Sequence, residues 1–280
     1  MARFIVDSAT SDRDRARTAT GDELSALLHH PATDVLLGVL DNPALDETRL
    51  CLLLDRKNLP AEILEEVARR KSLVKNYRVK RALAFHPHTP RLVTLRLVRD
   101  LYLMDLVQLA LLPGTPAELK RNAEDQLIAR LPQLPLGQKL TLARRGPARV
   151  AGALLAEGNK QLVDVVLDNA FLTEAQVLKV LSRENLPILV LPAIARHRKW
   201  SCTYNVRLAL VRHPGSSLST VLTYLPELTV SDLRELAAPG IVSESLRKYL
   251  QAEIQRRMQK SSKRNRQSET PSGSNETNSE

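Results

Sequence analysis

Shifted by 127 positions, this sequence meets itself. Val39-Leu-Asp-Asn42 falls on Val166-Leu-Asp-Asn169, and Asn58-Leu-Pro60 on Asn185-Leu-Pro187. Arg69 then meets Arg196, Tyr77 meets Tyr204, Val79 meets Val206, Ala82-Leu83 meets Ala209-Leu210, His86-Pro87 meets His213-Pro214, and Asp105-Leu106 meets Asp232-Leu233. After a one-residue gap that pairs Pro113-Gly114 with Pro239-Gly240, the offset returns at Leu119 and Leu246. Self-similarity at this scale means that one structural block is built twice. The copies run roughly from Ala26 to Gly152 and from Ala153 to Met258, the second lacking the final helices of the first.

Inside each copy, apolar stretches alternate with Pro-containing turns: His30-Pro31, Asn42-Pro43, Leu59-Pro60, His86-Pro87, Thr89-Pro90 and Pro113-Gly114. Each turn marks a helix boundary, because proline has no amide hydrogen to continue a helix. The stretches have helical faces. Ile63, Leu64, Val67 and Ala68 share one side, while Glu62, Glu65, Glu66, Arg69 and Arg70 share the other. Thr115-Pro-Ala-Glu118 reads as a capping box with Pro116 at the first helical position, and Thr173-Glu-Ala-Gln176 repeats it. Aromatics are only 3% of residues, so Leu, Val and Ala must fill the core, which suits helices rather than strands. Helices this short are marginal alone and must lie against neighbours. The expected fold is all-α: an α-solenoid of short antiparallel helices with an internal duplication of about 127 residues.

Segments such as LDNPALDETRL and LDNAFLTEAQV, with their Leu/Ala/Val spacing and recurrent Asn-Pro, His-Pro and Leu-Pro turns, resemble the HEAT and armadillo α-helical repeats over about Asp22 to Met258. That resemblance implies an interaction scaffold presenting an extended groove. Some HEAT-like proteins are alkylated-base DNA glycosylases, whose sites use aromatic side chains and an acid in a basic groove. Trp200 and Tyr204 offer the aromatics, but no acid lies between Arg196 and Arg212, which counts against that chemistry. Phycobilin-lyase-like HEAT proteins are a further analogy of fold alone.

Residues 1–21 read as a flexible segment, because Ser8 to Gly21 is almost devoid of apolar side chains. Residues 22–152 and 153–260 are the helical blocks, and 261–280 reads as a disordered polar tail. Only Cys51 and Cys202 are present, which excludes a disulfide framework and fits reduced thiols. Neither an apolar leader nor a membrane-length run is found, so a cytoplasmic location without membrane contact is expected.

No motif for catalysis, cofactor binding or metal binding is present: no Gly-rich phosphate loop, GxSxG, HExxH or CxxC. The reading is therefore not an enzyme, with no cofactor and no small-molecule substrate implied. His30, His86 and His213 read as helix C-terminal residues covering exposed carbonyls rather than as ligands. Positive charge is the more suggestive feature. Arg69, Arg70, Lys71, Lys75, Arg78, Lys80 and Arg81 run without an acid, and Arg196, His197, Arg198, Lys199, Arg207 and Arg212 repeat the pattern. Two readings stand side by side. Glu65 and Glu66 lie four residues before Arg69 and Arg70, which makes the first cluster a self-neutralised face. In the second copy those acids become Pro192 and Ala193, leaving Arg196 and His197 unpaired and kinking the helix at Pro192. Trp200 and Tyr204 beside them are either a stacking surface or, for Trp200, core filling at the position of Leu73. The candidate binding residues are thus Arg69, Arg70, Lys71, Arg78, Arg81, Arg196, Arg198, Lys199, Trp200, Tyr204 and Arg207. The expected function is a non-catalytic scaffold for a protein or peptide; the alternative is nucleic-acid binding through the basic strip.

Overall fold

The computed structural model describes residues 12–238, 242 and 244–268, and among them every regular element is a helix. Two compact units follow one another, Met1–Leu134 and Pro135–Glu280. The first holds residues 12–18 (α1), Gly21–Leu27 (α2), Thr33–Leu40 (α3), Glu47–Leu54 (α4), Ala61–Arg69 (α5), Lys71–Val74 (α6), Tyr77–Phe85 (α7), Arg91–Val98 (α8), Leu103–Leu111 (α9) and Ala117–Arg130 (α10), closed by a 3-10 turn at Leu131–Gln133. The second holds Leu136–Arg145 (α11), Ala148–Glu157 (α12), Val163–Leu167 (α13), Glu174–Leu181 (α14), Val190–Arg196 (α15), Tyr204–Arg212 (α16), Leu218–Tyr224 (α17), a 3-10 turn at Leu225–Glu227, Val230–Leu236 (α18) and Glu244–Ser268 (α19).

Within each unit the helices stack in two rows. In the second, α11, α13 and α15 pack in sequence to form one row, and α12, α14 and α16 form the other. In the first, α3 packs on α5 and α4 on α7 in the same manner. The predicted inner face of α5 is the one that packs: Ile63, Leu64 and Val67 are fully buried, while Glu62, Glu65 and Arg69 stay outside. Burying a side chain of this size stabilises by about 1.5–3 kcal/mol, which is what holds a nine-residue helix that would not persist alone.

Several local expectations change. Residues 12–18 are helical rather than flexible and pack on the unit: Ala16 and Ala19 are buried, and Gly38 of α3 admits the α1 backbone so closely that a Cβ would meet the Arg13 carbonyl at 2.6 Å. The division between units falls at 134/135, before the 152/153 limit of the sequence copies, because α11 and α12 pack on α13 and α14. The last helix runs past 261 to Ser268; residues 269–280 lie outside the described chain. Pro116 is the N-cap of α10 rather than its first helical residue, no side chain caps that end, and Glu118 pairs instead with Arg91. Thr173 is the N-cap of α14 but makes no capping bond, and Glu174 accepts from Asn205. Pro192 does not kink α15. It sits third in that helix, where its missing amide has no intrahelical acceptor to lose. Gly114 turns the chain with φ 79°, a conformation open to glycine; its counterpart Gly240 lies outside the described residues. Among the described residues no helix is long and apolar enough to cross a membrane.

Candidate functional site

The last carbonyls of a helix have no intrahelical donor and must find one elsewhere. In both units several carbonyls at or just past a helix end accept from a side chain 28 to 33 residues further on. In the first unit Arg56 donates to Leu28, Arg70 to Leu40, His86 to Arg56 (2.7 Å) and Arg130 to Leu101 (2.8 Å). In the second, Trp200 donates to Leu167 (3.0 Å), His213 to Arg183 (2.8 Å) and Arg257 to Leu228 (2.5 Å). Buried Asn42 donates to the Ala16 and Ala19 carbonyls, both at 2.8 Å, and buried Asn169 to those of Ala143 and Gly146, at 2.7 and 3.1 Å.

The bonds at positions 127 apart coincide in detail. His86 Nδ1 accepts from the His88 amide and His213 Nδ1 from that of Gly215, which leaves Nε2 as the donor in both rings. Burial pushes the His86 pKa down, against the pull of its bond to Arg56. These rings do cover carbonyls, but the carbonyl each covers lies 30 residues earlier, beyond the end of another helix. Tyr77 donates to Asp105 and accepts from the Tyr102 amide (2.9 Å); Tyr204 donates to Asp232 and accepts from the Thr229 amide (3.1 Å). Burial and the Asp105 carboxylate push Tyr77 up to about 12, while the bonds from Thr229 and Tyr204 hold Asp232 below the usual carboxylate range.

Most of the predicted basic residues are committed to this frame. Arg70 reaches Asp41 at 2.6 Å and Glu66 at 2.9 Å, and Arg13 and Arg17 converge on the same Asp41. Burial raises the Asp41 carboxyl, but Arg70 above all, with Arg17 and Arg13, outweighs it and holds the group below its ordinary value. Arg69 pairs with Glu66, Arg78 with Glu47 at 3.7 Å, and Arg81 with Asp105 at 2.7 Å. The first cluster is therefore largely neutralised, by acids from neighbouring helices as well as by Glu66; exposed Lys71 alone of its proposed binding residues has no acidic partner among the described residues.

In the second unit Trp200 is 2% exposed and offers no stacking face. Tyr204 is taken by Asp232, and Arg207 by Glu227 and the Ser201 carbonyl. His197 is not unpaired: it meets Asp168 at 3.1 Å. The exposed Arg196 donates to the Pro192 carbonyl of its own helix at 3.2 Å. What stays free is Arg198 and Lys199, the latter 4.2 Å from the Trp200 ring centroid. The structure adds Arg144 and Arg145, exposed at the end of α11, which Asn169 ties to the 168–169 turn. Extending the 127-residue offset backwards from Ala26 places Arg17 on Arg144 and so carries the signal for them.

At the other end of α16 lies an apolar groove of about 590 Å³, framed by His213, Pro214, Leu218, Leu222, Leu246 and Tyr249. Leu218 is 62% exposed and Tyr249 50%. A second cavity of about 340 Å³, between the ends of α14 and α16, shares Arg212, His213 and Pro214 with it. The first unit has a groove at the matching positions, framed by His86, Pro87, Arg91 and Leu119, of about 300 Å³. Among the described residues no three His, Cys, Asp or Glu side chains cluster as metal ligands would.

What this geometry defines is an all-α protein whose two units carry the same polar frame. No protein-family model, curated protein or solved structure matches the chain.

Proposed function

We propose that the chain is a non-catalytic α-helical-repeat scaffold of the HEAT/armadillo kind, made by duplication of one block and working in a reducing, cytoplasmic setting. Its partner is an apolar or amphipathic peptide segment of another protein, seated in the groove beside His213-Pro214. The observation that carries this reading is the groove itself, where Leu218, Leu222 and Tyr249 stand exposed around about 590 Å³. Apolar side chains gathered in a concave surface mark interaction sites, whereas scattered ones do not. The recurrence of side-chain-to-carbonyl bonds every 28 to 33 residues supports the repeat assignment, because each helix pair meets the next in the same way. The same bonds at an offset of 127 support the duplication.

The test is a photo-crosslinking side chain placed at Leu218 in the full chain, with a control at exposed Leu92 of the first unit. A discrete protein adduct from position 218, absent from position 92 and reduced at least about tenfold by Leu222→Glu with Tyr249→Glu, is expected. Equal adducts from both positions, or none from 218, would remove the groove as the binding site.

A further inference from the structure

The second unit carries a separate feature at the N-terminal end of α16. The Asn169 bonds join the end of α11 to the 168–169 turn, and the bonds of His197 to Asp168 and Trp200 to Leu167 join that turn to the segment after α15. Arg144, Arg145, Arg198 and Lys199 therefore share one edge. All four are exposed, and none has an anionic partner among the described residues.

The matching edge of the first unit ties its arginines to acids. There Arg17 stands where Arg144 does, and Arg13, Arg17 and Arg70 converge on Asp41 while Glu66 holds Arg69 and Arg70. In the second unit Leu140 replaces Arg13, Ala193 replaces Glu66 and His197 replaces Arg70. Asp168, the counterpart of Asp41, is left 81% exposed with His197 beside it. A surface partly neutralised by acids has become a positive one with fewer acids.

Helix C-termini ordinarily repel anions through their free carbonyls. Here Asn169 covers Ala143 and Gly146, and Trp200 covers Leu167, so these carbonyls are already occupied. We infer that this edge binds the phosphate backbone of duplex nucleic acid without reading its sequence. Backbone contact is favoured over base stacking because Trp200 is buried. It is favoured over a membrane surface because the turn presents a single exposed large apolar side chain, Phe171, where insertion into lipid uses a whole apolar face.

The experiment is fluorescence anisotropy of two labelled 20-base-pair duplexes of unrelated sequence against the full chain, from about 50 to 200 mM salt. Four phosphate contacts give a log–log salt slope of about −3.6, hence roughly 150-fold weaker binding across that range, equal for both sequences. Charge reversal of Arg144, Arg145, Arg198 and Lys199 to Glu should abolish binding, while the same reversal at Arg69, Lys71, Lys75 and Arg78 of the first unit leaves most of it. Should the fourfold variant lose its helical circular dichroism, Arg198→Gln with Lys199→Gln replaces it, and the slope should fall to about −1.8. The inference is overturned by no binding at 50 mM salt, by equal losses in the two reversal variants, by a sequence preference above about tenfold, or by vesicles of anionic lipid displacing the duplex at equal phosphate concentration. An acidic polypeptide competing more strongly than duplex would likewise reassign the edge to a protein.

Discussion

Residues 1–134 carry 20 Lys and Arg against 18 Asp and Glu, whereas residues 135–280 carry 21 against 13. Yet the two units make matching internal bonds: Asn42 and Asn169 on paired carbonyls, His86 and His213 on a carbonyl 30 residues earlier, Tyr77 and Tyr204 on an acid. The contrast separates what holds the helices from what coats them. Buried donors aimed at helix ends admit few replacements, because an orphaned buried carbonyl costs about 1–3 kcal/mol. Surface pairs contribute little, so the exposed Glu66–Arg69 pair can be lost, with Ala193 and Arg196 at the matching positions, without loss of the frame.

The sharpest way to break this comparison lies at the Leu40 and Leu167 carbonyls, which the first unit covers with Arg70 and the second with Trp200. Trp200→Ala should cost about 3–5 kcal/mol in urea unfolding, because it removes a buried ring together with a donor. Arg70→Ala should cost about 1–3 kcal/mol, because it removes the donor and its partly exposed pairs with Asp41 and Glu66 but no buried ring. Equal losses would mean that the two side chains do the same job.

A smaller effect comes from His86. Burial, helped by the nearby Lys57 and His88 charges, lowers its pKa in the folded chain. As pH falls the unfolded chain takes up the proton first, so stability is complete above about pH 6.5 and declines below it, by no more than about 1.4 kcal/mol per pH unit. The difference in urea midpoint between pH 7.5 and 5.5 should shrink in His86→Gln. An unchanged difference would show that other groups carry the acid sensitivity.

The smallest effect concerns a place where the second unit is better filled. Tyr224 donates to the Ala195 carbonyl at 2.5 Å, whereas at the matching position Leu97 borders a groove of about 240 Å³ with Glu65, Ala68 and Arg69. Leu97→Tyr should reproduce the bond on the Ala68 carbonyl and raise stability by about 0.5–1 kcal/mol in calorimetry. A loss instead would mean that the two sites differ in backbone as well as in side chain.

Much of the helical layout was legible in the sequence. The Ile63, Leu64 and Val67 face, the Pro-bounded turns and the pairing of Asn42 with Asn169 all follow from periodicity and self-comparison. Residues 12–20 escaped because their inward positions are alanines, and it takes Gly38 and Asn42, far along the chain, to make Ala16 and Ala19 a packing surface. The partners of the first charge cluster were hidden for a related reason. A run without an acid says nothing about acids on neighbouring helices, and Asp41, Glu47 and Asp105 come from such helices. Trp200 had two readings, and the indole bond to Leu167 with full burial settles it as structural. Arg144 and Arg145 become candidates only once Asn169 shows which turn they adjoin.

The spacing between each helix end and its covering side chain also has a consequence for synthesis. A helix leaving the ribosome keeps its last carbonyls in water until about thirty more residues have followed, as Leu28 waits for Arg56 and Arg56 in turn for His86. Completion of each helix end therefore trails translation by about thirty residues. Each newly made segment completes the one before it, and a nascent chain halted at any turn ends in a helix that is still unsealed.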